Sequence, residues 1–399
     1  MIIFEKNKET KDLEALASGK ISDELIGKML EISEKYCMSG NLRALYASYL
    51  LAMDTNTFSL ACEKNKNGEL GSIEKYALAD AVKIYSIYVT ADEDEVYVPS
   101  SADANNEDCR AGKLISALAD KLLKSNTPEE VLKNLKDFYT AHGSGIFALY
   151  RGYTVSENGE LCPVMKYSDA TFDGIYGYER HKKLLCDNTE AFLEGKKANN
   201  ALLYGDSGTG KSTSVKALLN KYHGDGLRMI GVQKHQFSFL PNIISDLSLR
   251  NYKFVLYLDD LSFENFETEY KYLKAIIEGG VAEKPENIII YATSNRRHLV
   301  KETFEEREGG GDLHRAETTN EKVSLSERFG LQIYYAKPDR QEYIDMVLFL
   351  AEKAYPEFDQ DQLILGANAW AVKHGGFSGR AAEQFIHSLS GSGERPAAK

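Results

Sequence analysis

No stretch of this sequence constrains the fold as tightly as Tyr204-Gly205-Asp206-Ser207-Gly208-Thr209-Gly210-Lys211-Ser212-Thr213, which reads G-x-x-x-x-G-K-S. The apolar run Ala201-Leu202-Leu203-Tyr204 before it has the character of a short buried strand. Val215-Lys216-Ala217-Leu218-Leu219 after it has that of a helix's first turns. A glycine-rich loop between strand and helix is a phosphate cradle. Glycines let the backbone wrap closely and turn its N–H groups inward, and the helix N-terminus adds partial positive charge. Gly205, Asp206, Ser207, Gly208, Thr209, Gly210, Lys211, Ser212 and Thr213 are therefore the expected ATP contacts. Lys211 would reach the β and γ phosphates, and Ser212 would ligate Mg2+.

The 399 residues suffice for two or three domains. The net charge of −12 argues against a chain basic all over that coats nucleic acid, though not against a local basic patch. Cys37, Cys62, Cys109, Cys162 and Cys186 are scattered, odd in number and without a C-x-x-C pair. They read as reduced thiols, not as a disulfide framework or zinc site. The N-terminus carries no signal-peptide apolar region, and no apolar run approaches the ~18 residues of a membrane span. The expectation is a soluble, cytoplasmic protein with no membrane partner.

The expected architecture is α/β: a parallel sheet with helices on both faces, a C-terminal helical lid, and a mainly α-helical N-terminal domain. Residues 1–168 form that first domain, with a short extended segment near 146–164 around Glu157-Asn158-Gly159. Leu25, Met29, Ile32 and Tyr36 fall at helical spacing, as do Leu42, Leu45, Tyr49 and Met53. Thr127 and Pro128 open a further helix. Residues 169–337 alternate strands and helices, the pattern of a parallel nucleotide-binding sheet. Continuous apolar strands such as Ile288-Ile289-Ile290-Tyr291 suit its doubly covered centre. Residues 338–390 return to helix as the lid, and 391–399 read as a disordered tail. Arg307 to Lys322 is poor in apolar residues and reads as an insertion, and Asp92-Glu93-Asp94-Glu95 as a solvated acidic loop.

Other segments supply chemistry. Phe254-Val255-Leu256-Tyr257-Leu258-Asp259-Asp260 is an apolar strand ending in two carboxylates, delivered to the edge of a sheet where ligands gather. Asp259 is expected to hold Mg2+, and Asp260 to orient or deprotonate an attacking water. Asp260 is one methylene shorter than Glu, and Glu264 is the alternative for that role. Tyr291-Ala292-Thr293-Ser294-Asn295 ends a strand in small polar residues, and Asn295 can contact the γ-phosphate or the water. Arg328, before Phe329-Gly330, suits an arginine finger aimed at a neighbouring subunit's ATP. The plain alternative is a surface arginine paired with Glu327 or Glu321. Gly375-Gly376-Phe377-Ser378-Gly379-Arg380 opens a helix with Arg380 in its first turn, unfavourable to the helix dipole unless it answers a phosphate.

In this order these motifs resemble those of an AAA+ ATPase over roughly Thr171 to Leu389. Thr171-Phe172-Asp173-Gly174-Ile175-Tyr176-Gly177 resembles the segment that packs on adenine there, with Ile175 and Tyr176 as the contacts. Asn188 to Gly195, Ala198 to Gly205, Asp259 to Glu264 and Ala292 to Leu299 closely resemble a bacterial AAA+ family known as domain of unknown function 815. The resemblance implies ATP and Mg2+ as ligands. It also implies a homo-oligomeric ring or partial ring with ATP at the subunit interface. Many AAA+ proteins carry Glu where Asp260 stands, but the double-Asp strand is shared with initiator and helicase-loader ATPases.

The implied function is ATP hydrolysis that remodels a protein or DNA partner, catalysed through Lys211, Asp260, Asn295 and Arg328. The alternative is a slow-turnover nucleotide-dependent switch or a helicase-loader-like adaptor. A protein unfoldase is disfavoured, because Gln233 to Phe239 lacks the aromatic-apolar-glycine triplet that grips polypeptide. A GTPase is disfavoured by the absence of an Asn-Lys-x-Asp motif.

Overall fold

A computed structural model describes residues 1–4, 12–65, 70–91, 96–100, 106–263, 268–278, 285–296, 299, 325–354 and 359–391. The chain divides into two compact units. The first comprises Met1–Thr154, Leu161–Tyr167 and Leu249–Asn251, and the second Val155–Glu160, Ser168–Ser248 and Tyr252–Lys399. Glu264, Arg297, the Asp92-to-Glu95 run, Arg307 to Lys322 and the tail from 392 onward lie outside the described residues.

In the first unit the helices are α1 (Asp12–Ala17), α2 (Asp23–Lys35), α3 (Leu42–Met53), α4 (Thr57–Lys64), α5 (Ile73–Val89), α6 (Glu107–Leu123), α7 (Pro128–His142) and α8 (Ile146–Leu149). A two-residue ladder joins β1 (Gly40–Asn41) to β2 (Val96–Tyr97). Strands β3 (Gly152–Val155) and β4 (Leu161–Pro163) follow. Between them, in a stretch assigned to the second unit, Ser156 N–H reaches Glu160 O at 2.8 Å across the turn at Glu157-Asn158-Gly159. The helix starts follow local chemistry. Ser22 caps α2, and Thr127 caps α7 by accepting from Glu130 N, with Pro128 in the first turn. Helix α3 is buried almost all round, against α2 and α6, so its apolar stripe understates its central position. A bidentate ion pair between Arg250 and Glu63, at 2.9 and 2.8 Å, is sealed inside this unit.

Two expectations are corrected here. Residues Ile146–Leu149 form a helical turn, not the start of an extended segment. Gly143 and Gly145 both take positive φ, and Gly145 N–H is tied to Ala52 O at 2.9 Å, which sets the chain up to turn before it extends. The cysteines are also not all reduced thiols: Cys37 and Cys109 form a disulfide, with Cα atoms 5.0 Å apart. Their separation of 72 residues hid the pairing. The end of α2 and the start of α6 approach closely because position 112 is glycine; a Cβ there would lie 1.7 Å from Tyr36 O.

The second unit carries the parallel sheet. Its strands are β5 (Ala201–Gly205), β6 (Leu227–Gly231), β7 (Lys253–Leu258), β8 (Ile288–Ser294) and β9 (Leu331–Tyr335), side by side in the order β6-β7-β8-β5-β9. The register runs Leu227↔Lys253, Tyr257↔Tyr291, Ala201↔Tyr291 and Ala201↔Leu331, all parallel. Every residue of β8 is buried, as its unbroken apolar run requires of a central strand. Strand β9 alternates exposed and buried residues, the pattern of an edge. Helices α9 (Glu179–Leu193), α10 (Lys211–Tyr222), α11 (Leu240–Ser248) and α12 (Thr268–Glu278) accompany the sheet, α10 packing on β6 and β8 and α11 on β8.

Among the described residues three helices follow: α13 (Arg340–Ala354), α14 (Gln360–Lys373) and α15 (Gly379–Gly391). They close around Tyr343, Val347, Leu363, Ala367, Ala382 and Phe385, and Tyr176 and Tyr178 pack against that cluster. The second unit thus sets a glycine-rich loop after the central-sheet strand β5 and ends in a helical lid, and the helical N-terminal region precedes it in sequence.

Candidate functional site

The loop after β5 is held by strand β9. Gly205, with φ 130°, passes so close that a Cβ would sit 2.1 Å from Tyr335 O. Only glycine fits there, and Asp206 N–H bonds that same carbonyl at 3.2 Å. Gly208 meets the lid: Arg380 N–H donates to Gly208 O at 3.2 Å, and a Cβ at Gly208 would be 3.1 Å from Arg380 Cβ. Loop and lid thereby form the walls of one cleft of about 410 Å³. Ser207 to Thr213, Asp259, Asp260, Asn295 and Arg380 line it, as do Ile175 and Tyr176; Gly205 and Asp206 do not line it and open instead, with Tyr204, Asn295 and Tyr334, on a separate pocket.

At one end the cleft is apolar. Ile175 is buried, and Met346 and Leu350 of α13 line the same cleft, with Tyr176 packed on Phe349 at 5.4 Å between ring centres. Lys182 Nζ anchors the segment by donating to Ile175 O at 2.6 Å.

The other end is polar and crosslinked. Lys211, only 5% exposed, donates to Gly205 O at 2.9 Å, Asp206 O at 2.6 Å and Asn295 Oδ1 at 3.1 Å. Burial lowers its ammonium below the ordinary lysine value, and the charges of Asp206 and Asp260 work against that shift. The Asn295 amide turns its Nδ2 to Asp260 Oδ1 at 2.9 Å, so Asn295 joins the loop lysine to the second carboxylate. Asp260 occupies the left-handed region at φ 51°, a conformation Asp tolerates better than most residues. Its N–H is fixed on Thr293 Oγ1 at 3.0 Å.

Asp259 gathers hydroxyls. Ser212 Oγ donates to Asp259 Oδ1 at 2.7 Å, and Thr293 Oγ1 donates to the same oxygen at 2.6 Å. Burial alone would raise this carboxyl. The nearby hydroxyls of Thr293, Tyr257 and Ser212, with the Lys216 ammonium, outweigh it and hold the group below the usual carboxylate range. A hydroxyl and an ionised carboxylate in contact are hard oxygen donors of the kind Mg2+ takes, together with phosphate oxygens and waters. The residues present fit that ion.

Arg328 stands apart from these groups. It precedes β9, pairs with Glu278 of α12, and does not line the cleft of its own chain. The sequence had offered Glu327 or Glu321 as its ordinary partner; Glu278 was missed because the contact spans fifty positions and no local signal points to it. Thr293 and Tyr257 lie within apolar strand runs, which mask them in the sequence. The signal for Thr293 was available: a β-branched hydroxyl beside the sheet's carboxylates.

The comparisons bear on this geometry. Residues 148–393, more than half of the chain, match the model of the family described as "Protein of unknown function (DUF815)". Over 102 residues the chain is 26% identical to the replication factor C large subunit of Methanococcus vannielii, a match covering 25% of this chain and 21% of that protein. The chain therefore spans about a fifth of the length of that curated relative. Among solved structures, the Thermotoga maritima RuvB Holliday junction branch migration motor superposes with a TM-score of 0.33 at 15% identity, over 55% of this chain and 72% of that one. The matched region carries the phosphate loop, the double-carboxylate strand and the helical lid, and the chain belongs to the DUF815 family.

Proposed function

We propose that this protein binds ATP with Mg2+ in the cleft of its second unit and hydrolyses it, between subunits of a homo-oligomer, to remodel a macromolecular partner. The observation that carries the proposal is the pair of linked networks: Lys211–Asn295–Asp260 on one side, and Ser212–Asp259–Thr293 on the other. They put a cation, an amide and two carboxylates around one point at the mouth of the loop.

In this reading the adenine lies against Ile175 and Tyr176, and the loop N–H groups hold the phosphates. Lys211 leaves the carbonyls of Gly205 and Asp206 for the β and γ oxygens. Ser212 and Asp259 would hold Mg2+, which would supply charge neutralisation at the phosphates. Asn295 holds a water in line, and Asp260 accepts its proton. Phosphoryl transfer asks mainly for positioning and electrostatic stabilisation, and these residues provide both. Arg380 adds charge from the lid. Arg328, drawn from Glu278, would complete the site of an adjoining subunit. The helical residues 1–168 would recruit the partner, a protein or DNA; a basic contact with DNA would weaken as salt rises.

A second reading, a nucleotide-dependent switch or loader-like adaptor with negligible turnover, draws support from Asp260. Its carboxylate is shorter than Glu, and one oxygen is already engaged by Asn295. Phosphate release measured for wild type and Asp260→Asn separates the two. The enzyme reading expects hydrolysis to fall at least 100-fold with ATP retained. Turnover near zero in both proteins supports the switch and refutes the enzyme.

A further inference from the structure

We infer that Glu383 reads the sugar of the bound nucleotide, accepting hydrogen bonds from its two free ribose hydroxyls, so that the cleft takes ribonucleotides in preference to deoxyribonucleotides. The inference rests on the nucleotide-binding reading above. Glu383 lies on α15 and lines the cleft together with Gly379 and Arg380 of the same helix. The start of α15 is fixed on the phosphate loop. Arg380 N–H donates to Gly208 O at 3.2 Å, and a Cβ at Gly379 would lie 3.2 Å from that same carbonyl. Ala381, Ala382, Phe385 and Ile386 belong to the lid's apolar cluster. Arg380 and Glu383 are left exposed, about one turn apart, and both line the cleft.

An arginine and a glutamate three positions apart on a helix are neighbours that commonly pair. Here Glu383 makes no hydrogen bond or ion pair, with Arg380 or with any other described residue. The helix dipole does not account for it either, because Glu383 lies beyond the first turn, where that pull on a carboxylate has faded. Its role is set by what enters the cleft. Loop N–H groups and Lys211 take the phosphates, and Ile175, Met346 and Leu350 take the base. Three residues past Arg380, about 4.5 Å of helix rise, carry Glu383 away from the loop contact at Gly208. The sugar of a nucleotide joins its phosphates to its base and offers two hydroxyl donors. A carboxylate accepts and does not donate, so it repels phosphate and suits those hydroxyls. A carboxylate takes a ribose hydroxyl in the same way in dinucleotide-binding sheets.

The test is calorimetric titration of ATP and of 2′,3′-dideoxy-ATP, each with Mg2+, into wild type, Glu383→Ala and Glu383→Gln. The inference expects wild type to bind ATP about tenfold tighter than the dideoxy analogue, the size of a lost bond to a charged acceptor that solvent screens. Glu383→Ala should bind the two nucleotides alike. Glu383→Gln keeps a carbonyl acceptor and should fall between. Removing a negative charge beside a triphosphate raises affinity for both nucleotides, so the ratio of the two affinities is the readout. Equal binding of both nucleotides by wild type overturns the inference, and so does a tenfold preference that survives in Glu383→Ala. In either case ATP still binds and the functional reading stands. If wild type binds neither nucleotide, the functional reading falls and the inference with it.

Discussion

Thr293→Val tests whether the two carboxylates are positioned by one hydroxyl. Thr293 is 1% exposed, and valine keeps its branched shape on β8. The change removes the donor to Asp259 Oδ1 at 2.6 Å and the acceptor for Asp260 N–H at 3.0 Å. A hydrogen bond to a charged group contributes about 1.5–3 kcal/mol, and a neutral one about 1 kcal/mol. Asp259 itself faces solvent, which screens the first, so the combined loss should be about 2 kcal/mol. That is roughly a 30-fold fall in the folded-to-unfolded ratio. Trp370, the single tryptophan, lies on α14 of the same unit, so its fluorescence in a denaturant titration reports the change. The pH dependence has a definite sign. The Asp259 carboxyl is depressed in the fold, so its contribution is present above the ordinary carboxylate range and is lost as pH falls through the folded value. The gap between wild type and variant should therefore be full at pH ~7 and shrink below pH ~4. Thr293→Ser should restore most of it. A Thr293→Val protein within about 0.5 kcal/mol of wild type at neutral pH, with unchanged ATP affinity, would refute the reasoning.

Other outcomes follow from the same contacts. Arg328→Ala should lower ATP turnover at least 1,000-fold while leaving ATP affinity intact, if the arginine serves a neighbour. Turnover that is insensitive to this change at every protein concentration would remove the intersubunit role. Arg250→Ala should destabilise the helical unit by about 3–5 kcal/mol, because it strands the buried Glu63 carboxylate, whose side chain is 5% exposed. A proteolysis or hydrogen-exchange measurement confined to that unit reads the effect. Asp260→Asn should trap ATP without turning it over, as set out above.

How much of this was legible in the sequence depended on the range of the interaction. The phosphate loop, the β7 and β8 runs and the Thr127–Pro128 helix start are local patterns, and each forms the element its pattern implies. The networks at the cleft are not local. Asn295 meets Lys211 across 84 positions, and Arg328 finds Glu278 through folding of segments that carry no mark of each other. The Cys37–Cys109 bond escaped for the same reason. Ile146 was read as strand because its apolar run fits either element, and the tether from Gly145 to Ala52 decides for a helical turn.

The most direct test of the account is calorimetric titration of ATP with Mg2+ into the wild type and into Lys211→Ala. The convergence of Lys211, Asn295, Asp259 and Asp260 predicts saturable one-site binding by the wild type and at least a 100-fold weaker signal in the variant. Equal binding by the two proteins, or none by the wild type, would contradict it.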